Sequence, residues 1–298
     1  MGRASFSGPY PYRKLGRDVL RITAEAKDVP LRSAKMVKQH PPRLPLAMPA
    51  VRQRRFGLAR ALSKLGYCSR SQAASLIRRG RVRLNGKIRR DPETPTNPER
   101  DIFEVDGKLV AQSEKIYLIV NKPPGFVTTA SDEKGRKTVY DLLDKTLPWL
   151  GPVGRLDQAS EGLLLFTNDP EWSAALLAPA SHVTKTYHVQ IQGMIHDSQI
   201  SSLTRGVSTD AGEMKVLRAE VLRRGSRNTW LEITLDEGKN RQIRRMMNTL
   251  GFEVLRLIRV SIGPVVLGTL AKGTSRPLTK DEKAQLDQAM RERSDKEI

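Results

Sequence analysis

The chain has 298 residues, enough for one large or two ordinary domains, and its 38% hydrophobic content suits a globular protein rather than a disordered one. A formal net charge of +20 sets up a positive field that favours polyanions, nucleic acid first and an anionic membrane surface second. Apolar runs such as Gly162–Phe166 fall far short of the about 20 residues that a membrane span needs, and no apolar signal stretch opens the chain.

Residues 1–53 read as a basic arm without apolar periodicity, ending in the proline-studded His40–Pro49. The arm is open to two main readings: a tail that adds phosphate contacts, or non-native sequence upstream of a start at Met48. A transit peptide is a third, disfavoured by the lack of serine enrichment.

Residues 54–110 are better patterned. Ser69 and Gln72 have the form of a capping box, followed by the apolar stripe Ala73, Ala74, Leu76 and Ile77, with Gly80 placed to end the helix. Arg81–Leu84 alternates as a strand, Asn85–Gly86 is a two-residue hairpin turn, and Lys87–Ile88 begins the return. No Asp or Glu occurs between Arg52 and Arg90. A solvated face normally mixes both signs, so Arg60, Lys64, Arg70, Arg78, Arg79, Arg81, Arg83 and Lys87 are candidate phosphate ligands. In the spacing of Phe56–Arg70 and Leu76–Gly86 the block resembles the S4 RNA-binding domain. Gly57 departs from that pattern, so the first helix is expected to fray there.

From residue 114 to 285 the texture changes to strands and short helices. Ile116–Val120 reads as a strand stopped by Lys122-Pro-Pro-Gly125, and Leu163–Phe166 as a buried strand. Asn168–Glu171 supplies a cap, a first-turn proline and a first-turn acid for a helix. Tyr187–Ile191 and Thr229–Leu235 alternate like half-buried strands. Asn240–Leu250 is expected to be a helix with Ile243, Met246, Met247 and Leu250 on its core face. Gly135–Thr138 lacks the upstream glycine of a phosphate loop, so no Rossmann or P-loop fold is supported. The expected fold class is α+β, on a mixed, largely antiparallel sheet with flanking helices. Residues 286–298 read as a charged tail.

Three segments are more polar than a core requires: Gly154–Gly162, Lys185–Val189 and Glu237–Met246. The one cysteine, Cys68, allows no internal disulfide or thiolate metal site, and a reducing cytoplasm is the expected location. His40, His182, His188 and His196 lack metal-ligand spacing, so no metal is expected. Alone, Asp157 reads as a turn residue. Arg155 nearby, and Arg241, Arg244 and Arg245 at a helix start, change this, because a carboxylate held against guanidinium stays ionised and oriented. A glycosidase would need a second carboxyl kept protonated. Glu161 is the near candidate, and nothing around it raises its pKa.

Gly154–Asp169, Lys185–Val189 and Gly238–Met246, in that order and spacing, resemble the three motifs of the RsuA-type ribosomal RNA pseudouridine synthases. Leu255–Arg259 followed by Ile262–Gly263 fits the closing strand of that family. With the S4-like block, the resemblance covers residues 56 to about 280. It implies isomerisation of a uridine in ribosomal RNA, without a cofactor, by a monomer acting on RNA or on an assembling subunit. Asp157 would be the catalytic carboxylate and Arg244 its partner. Tyr187 would stack on the base, and Arg155 would hold the base out of its helix. Lys122, Lys185, Asn240, Arg241, Gln242 and Arg245 would contact RNA around them. Flipping the nucleotide costs a few kcal/mol, and stacking on an aromatic ring returns roughly 1–3 kcal/mol.

Gln158-Ala159-Ser160 departs from the usual motif loop, although Ser160 keeps a hydroxyl and activity is expected to survive. The tract Thr128–Thr138 resembles members acting on large-subunit RNA, which slightly favours that target. The alternative is a non-catalytic RNA-binding or assembly protein that kept the fold; the presence of aspartate, tyrosine and arginine together argues against it.

Overall fold

The computed structural model describes residues 55–130 and 132–294; the arm expected over residues 1–53 lies outside them. Helix α1 (Leu58–Lys64) and helix α2 (Arg70–Arg78) pack on a small sheet in which strands β1 (Val82–Leu84), β2 (Lys87–Arg89) and β3 (Phe103–Val105) are antiparallel, with β1 central. The expected capping box is present: the Ser69 hydroxyl accepts from the Gln72 amide, and the Gln72 side chain accepts from the Ser69 amide. Asn85 and Gly86 both take positive φ, at 52° and 76°, which the two-residue turn requires. Leu58, Ala61, Leu62, Ala73, Ile77 and Val82 are fully buried in this domain. Helix α1 does not fray. Its first amides, Leu58 and Ala59, donate to the carbonyls of Thr94 and Pro92, each at 2.9 Å. A Cβ on Gly57 would meet Glu93 at 2.7 Å, so the glycine admits the chain that caps the helix.

The larger domain is a mixed sheet, as its sequence pattern predicts. Its strands are β4 (Tyr117–Lys122), β5 (Glu161–Thr167), β6 (Lys185–Gln192), β7 (Arg218–Arg224), β8 (Asn228–Leu235), β9 (Val254–Ile262) and β10 (Ser275–Pro277). They run in the order β7-β8-β6-β9-β5-β4-β10. Only the β9–β5 step along this path is parallel. That step brings two backbones unusually close: Gly162, at φ +100°, is opposite Arg259, whose carbonyl oxygen would lie 2.3 Å from an added Cβ. Every residue of β5 is buried, the pattern of a strand covered on both faces.

Helices α3 (Pro170–Leu177), α4 (Asp197–Arg205), α5 (Gln242–Thr249) and α6 (Lys280–Ser294) flank the sheet. Helix α5 begins two residues later than its apolar pattern predicts, because Arg241 takes a left-handed conformation at its N-cap, φ 50° and ψ 32°. Ile243, Met246 and Met247 pack against Val189, Leu231, Ile233 and Leu257 of the sheet. The charged tail expected from residue 286 is corrected by α6, which crosses that boundary. Leu286 is fully buried beside Leu176 and Val265, and Asp287 accepts from the Trp172 indole at 2.8 Å. The start signal is a capping box, Thr279 with Glu282. Among the described residues no helix is long and apolar enough to cross a membrane.

Candidate active site

A cleft of about 640 Å³ opens where the sheet meets the loop before β5 and the N-terminus of α5. Asp157, Arg155, Tyr187, Lys185, Arg241 and Arg259 are among the side chains that line it. Three of the four expected catalytic residues therefore share one cavity, and the fourth, Arg244, sits just behind it.

The loop carrying Asp157 is held from several directions. The fully buried Lys122 ammonium donates to the main-chain carbonyls of Asp157 (3.0 Å), Gln158 (3.3 Å) and Ser160 (2.7 Å), and to that of Pro123 (3.1 Å). Burial pushes the Lys122 pKa down to about 8, while the charges of Asp157 and Glu161 oppose the shift. The Gly125 amide donates to the Gln158 carbonyl at 2.8 Å, and the Thr128 hydroxyl to the Leu156 carbonyl at 2.7 Å. Lys122 is thus corrected from an RNA contact to an internal brace: its charge is enclosed and has four acceptors, leaving none of it for a phosphate. Its place at the end of an apolar strand, before Pro-Pro, is the signal for burial that its charge obscured.

Asp157 is paired with Arg241, whose Nη1 lies 3.3 Å from Oδ2. This corrects two expectations. Arg155 is exposed in the cleft and makes no ion pair with Asp157. Arg244 sends Nη1 to the Val254 carbonyl (3.1 Å) and Nη2 to the Ala159 carbonyl (3.5 Å), so it ties the loop to β9 instead of holding the carboxylate. Burial, then the like charge of Arg241, lowers the Arg244 pKa, and Asp157 opposes them. The left-handed turn at Arg241 swings that side chain over the cleft, a geometry that helical periodicity cannot forecast.

Glu161 is not a second acid. Burial raises its pKa, but hydrogen bonds from Arg256 (3.0 and 3.1 Å) and Lys272 outweigh burial and hold it below the usual range. Tyr187 is half-buried and packs against the clusters on either side of the cleft.

The expected RNA contacts divide. Arg60, Arg70, Arg78, Arg79, Arg83 and Lys87 are exposed on the S4-like domain, and Arg60, Arg70 and Arg78 line a groove of about 450 Å³ between α1 and α2. Lys64 instead lies 3.7 Å over the Phe56 ring and pairs with Glu171 of α3, and Arg81 forms a bidentate pair with Asp106. Those two cations already have partners, so neither is the free phosphate ligand expected of it. Asn240 and Lys185 line the cleft. Gln242 is 2% exposed and its amide donates to the Lys215 carbonyl and Glu237, both at 2.9 Å, so its amide nitrogen ties its own loop together. Arg245 turns to Asp210.

The family model for RNA pseudouridylate synthase matches residues 116–249, and that for the S4 domain residues 57–102. An RNA pseudouridine synthase of Aquifex aeolicus is 38% identical over 230 residues, covering 77% of this chain and 92% of the relative. The ribosomal large subunit pseudouridine synthase B of Bacillus subtilis is 34% identical over 227 residues, covering 76% and 93%. A solved pseudouridylate synthase superposes with a TM-score of 0.56 at 30% identity, over 78% of this chain and 99% of that one. With the motif-bearing loops gathered around one cleft and a basic S4 domain ahead of it, the chain belongs to the RNA pseudouridine synthase family, in its RsuA-type branch.

Proposed function

We propose that this enzyme converts one uridine of ribosomal RNA, in the large subunit, to pseudouridine, and that Asp157 is its catalytic carboxylate. The observation that carries the proposal is the Asp157–Arg241 pair, held on a braced loop in the cleft that Tyr187 also lines. The pairing keeps the carboxylate anionic and aimed, as a group acting on the sugar requires. The base stacks on Tyr187 after flipping, and Arg155, free in the cleft, takes the place it leaves or a flanking phosphate. The ring leaves C1′ with the N1–C1′ electron pair and returns a pair from C5 to C1′. C5 then loses a proton and N1 gains one, so reactant and product are isomers.

The large-subunit target is supported by the Bacillus subtilis relative and by the tract 128–138, whose Thr128 bonds directly to the Asp157 loop. The enzyme works as a monomer in the cytoplasm, on free RNA or an assembling subunit. Mapping pseudouridine across ribosomal RNA of a strain lacking the gene tests the target. One missing large-subunit site, restored by wild-type protein, is expected; an unchanged map contradicts the proposal.

A further inference from the structure

Two cations of the cleft form no ion pair among the described residues, although Asp157, Asp236 and Glu237 also line it. Lys185 and Tyr187 are two residues apart on β6 and so face the same side of the sheet, and Arg259 on β9 is the cross-strand partner of Tyr187. Arg259 is 6% exposed, its Nε donates to the Leu163 carbonyl at 2.7 Å, and its buried Nη2 has no hydrogen-bond partner. Neither Lys185 nor Arg259 forms an ion pair among the described residues; the nearest carboxylate influence on Lys185, that of Asp236, acts without a contact within ion-pair range. Burial, then the charge of Arg259, lowers the Lys185 pKa, consistent with two like charges set close together, Arg259 buried and Lys185 half-buried. A buried guanidinium without a counter-ion, with a second cation beside it, is costly, and such an arrangement persists where a ligand supplies the missing charge.

We infer that Lys185 and Arg259 form an anion subsite for the detached uracil ring, stabilising the negative charge that N1 acquires and shares with O2 and O4 when the bond to C1′ breaks. The inference rests on the isomerisation proposed above. A base stacked on Tyr187 presents its edge to the residues on either side of that tyrosine, which are these two. No charge needs to be stabilised in the intact nucleoside, whose ring is neutral, so the cations favour the cleaved state over the bound substrate, the condition for lowering a barrier. When C5 rejoins C1′ the ring is neutral again, and the product is released from the subsite without a retained charge.

The alternative anion is a backbone phosphate, and the experiment separates the two. Single-turnover conversion and RNA affinity are measured for wild type, Arg259→Met, Arg259→Lys and Lys185→Gln, on RNA carrying uridine or the more acidic 5-fluorouracil base at the target. With fluorine at C5 the final proton loss is blocked, so conversion is read as loss of the N-linked nucleoside. For Arg259→Met the expected result is a rate about 100-fold below wild type on uridine, with RNA affinity and its salt dependence unchanged. The deficit shrinks on the fluorinated base, whose anion needs less help, and Arg259→Lys recovers part of the rate. Lys185→Gln, which leaves the Arg259–Leu163 bond in place, shows the same pattern and guards against a folding defect. Equal deficits on both bases would overturn the inference, as would affinity and salt slope falling together with rate, the signature of a phosphate contact. If wild type itself made no pseudouridine, the underlying reaction, not the subsite, would be at fault.

Discussion

The Lys122 ammonium donates to the main-chain carbonyl of Asp157 at 3.0 Å, so the residue that presents the carboxylate is fastened from behind by an enclosed charge. Lys122→Met takes a donor from four carbonyls, of which those of Asp157 and Gln158 keep the Ser160 and Gly125 amides, and loosens the loop. A loss of about 3 kcal/mol is expected, with turnover falling further than RNA affinity. Thermal melting and parallel binding and turnover assays check this.

The same lysine gives a pH signature. Its pKa is about 8 in the folded protein and about 10.4 in the unfolded chain, so between these values the unfolded chain binds more protons. The cost of burying the charge is therefore carried in full below about pH 8 and is relieved as pH rises towards 10.4. This group's contribution to stability therefore rises with pH across that window. Lys122→Met lacks the slope. Denaturant midpoints of the two proteins, measured from pH 7 to 10.4, should diverge, with wild type gaining relative to the variant.

Arg241 and Arg244 are expected to fail differently. The Asp157–Arg241 pair is half-exposed and worth little to stability, so Arg241→Ala should melt near wild type while turnover drops about 100-fold through misplacement of the carboxylate. Arg244 makes two main-chain hydrogen bonds from a half-buried position. Arg244→Ala should therefore lose about 2–4 kcal/mol as well as activity. Equal melting temperatures for the two variants would show that Arg244 does not tie the loop to β9.

In the S4 domain the arginines of the α1–α2 groove, which form no ion pair among the described residues, should dominate RNA affinity. Each of Arg60→Ala, Arg70→Ala and Arg78→Ala is expected to weaken binding and lower the salt slope by about one. Arg81→Ala, which removes a cation already paired with Asp106, should change both far less. Titrations at several salt concentrations distinguish them.

Much of this was legible in the sequence where local chemistry decides the outcome. The Ser69–Gln72 box, the Asn85–Gly86 turn and the cap within Asn168–Glu171 each act within a few residues, and the structure contains all three, with Asp169 as the cap. Gathering of Asp157 and Tyr187 into one cleft followed from the family resemblance rather than from periodicity. What was not legible depends on distant partners. Lys122 looks like any lysine until 35 to 38 residues of chain return to surround it. Arg241 and Arg244 are equivalent by sequence, and only the left-handed turn at Arg241 decides which one meets the carboxylate. Arg259 stood in a strand pattern without a role until its neighbours left Nη2 unpartnered. Helix α6 was hidden by its charge, although Thr279 and Glu282 marked its start.

The most direct measurement is pseudouridine formation on transcribed large-subunit ribosomal RNA by wild type and Asp157→Asn, with RNA affinity determined alongside. Asparagine keeps the side chain's size and removes only the charge that Arg241 holds. If Asp157 is the catalytic carboxylate, wild type converts one uridine stoichiometrically and the variant none, at matched affinity. Equal product from both proteins would contradict that role.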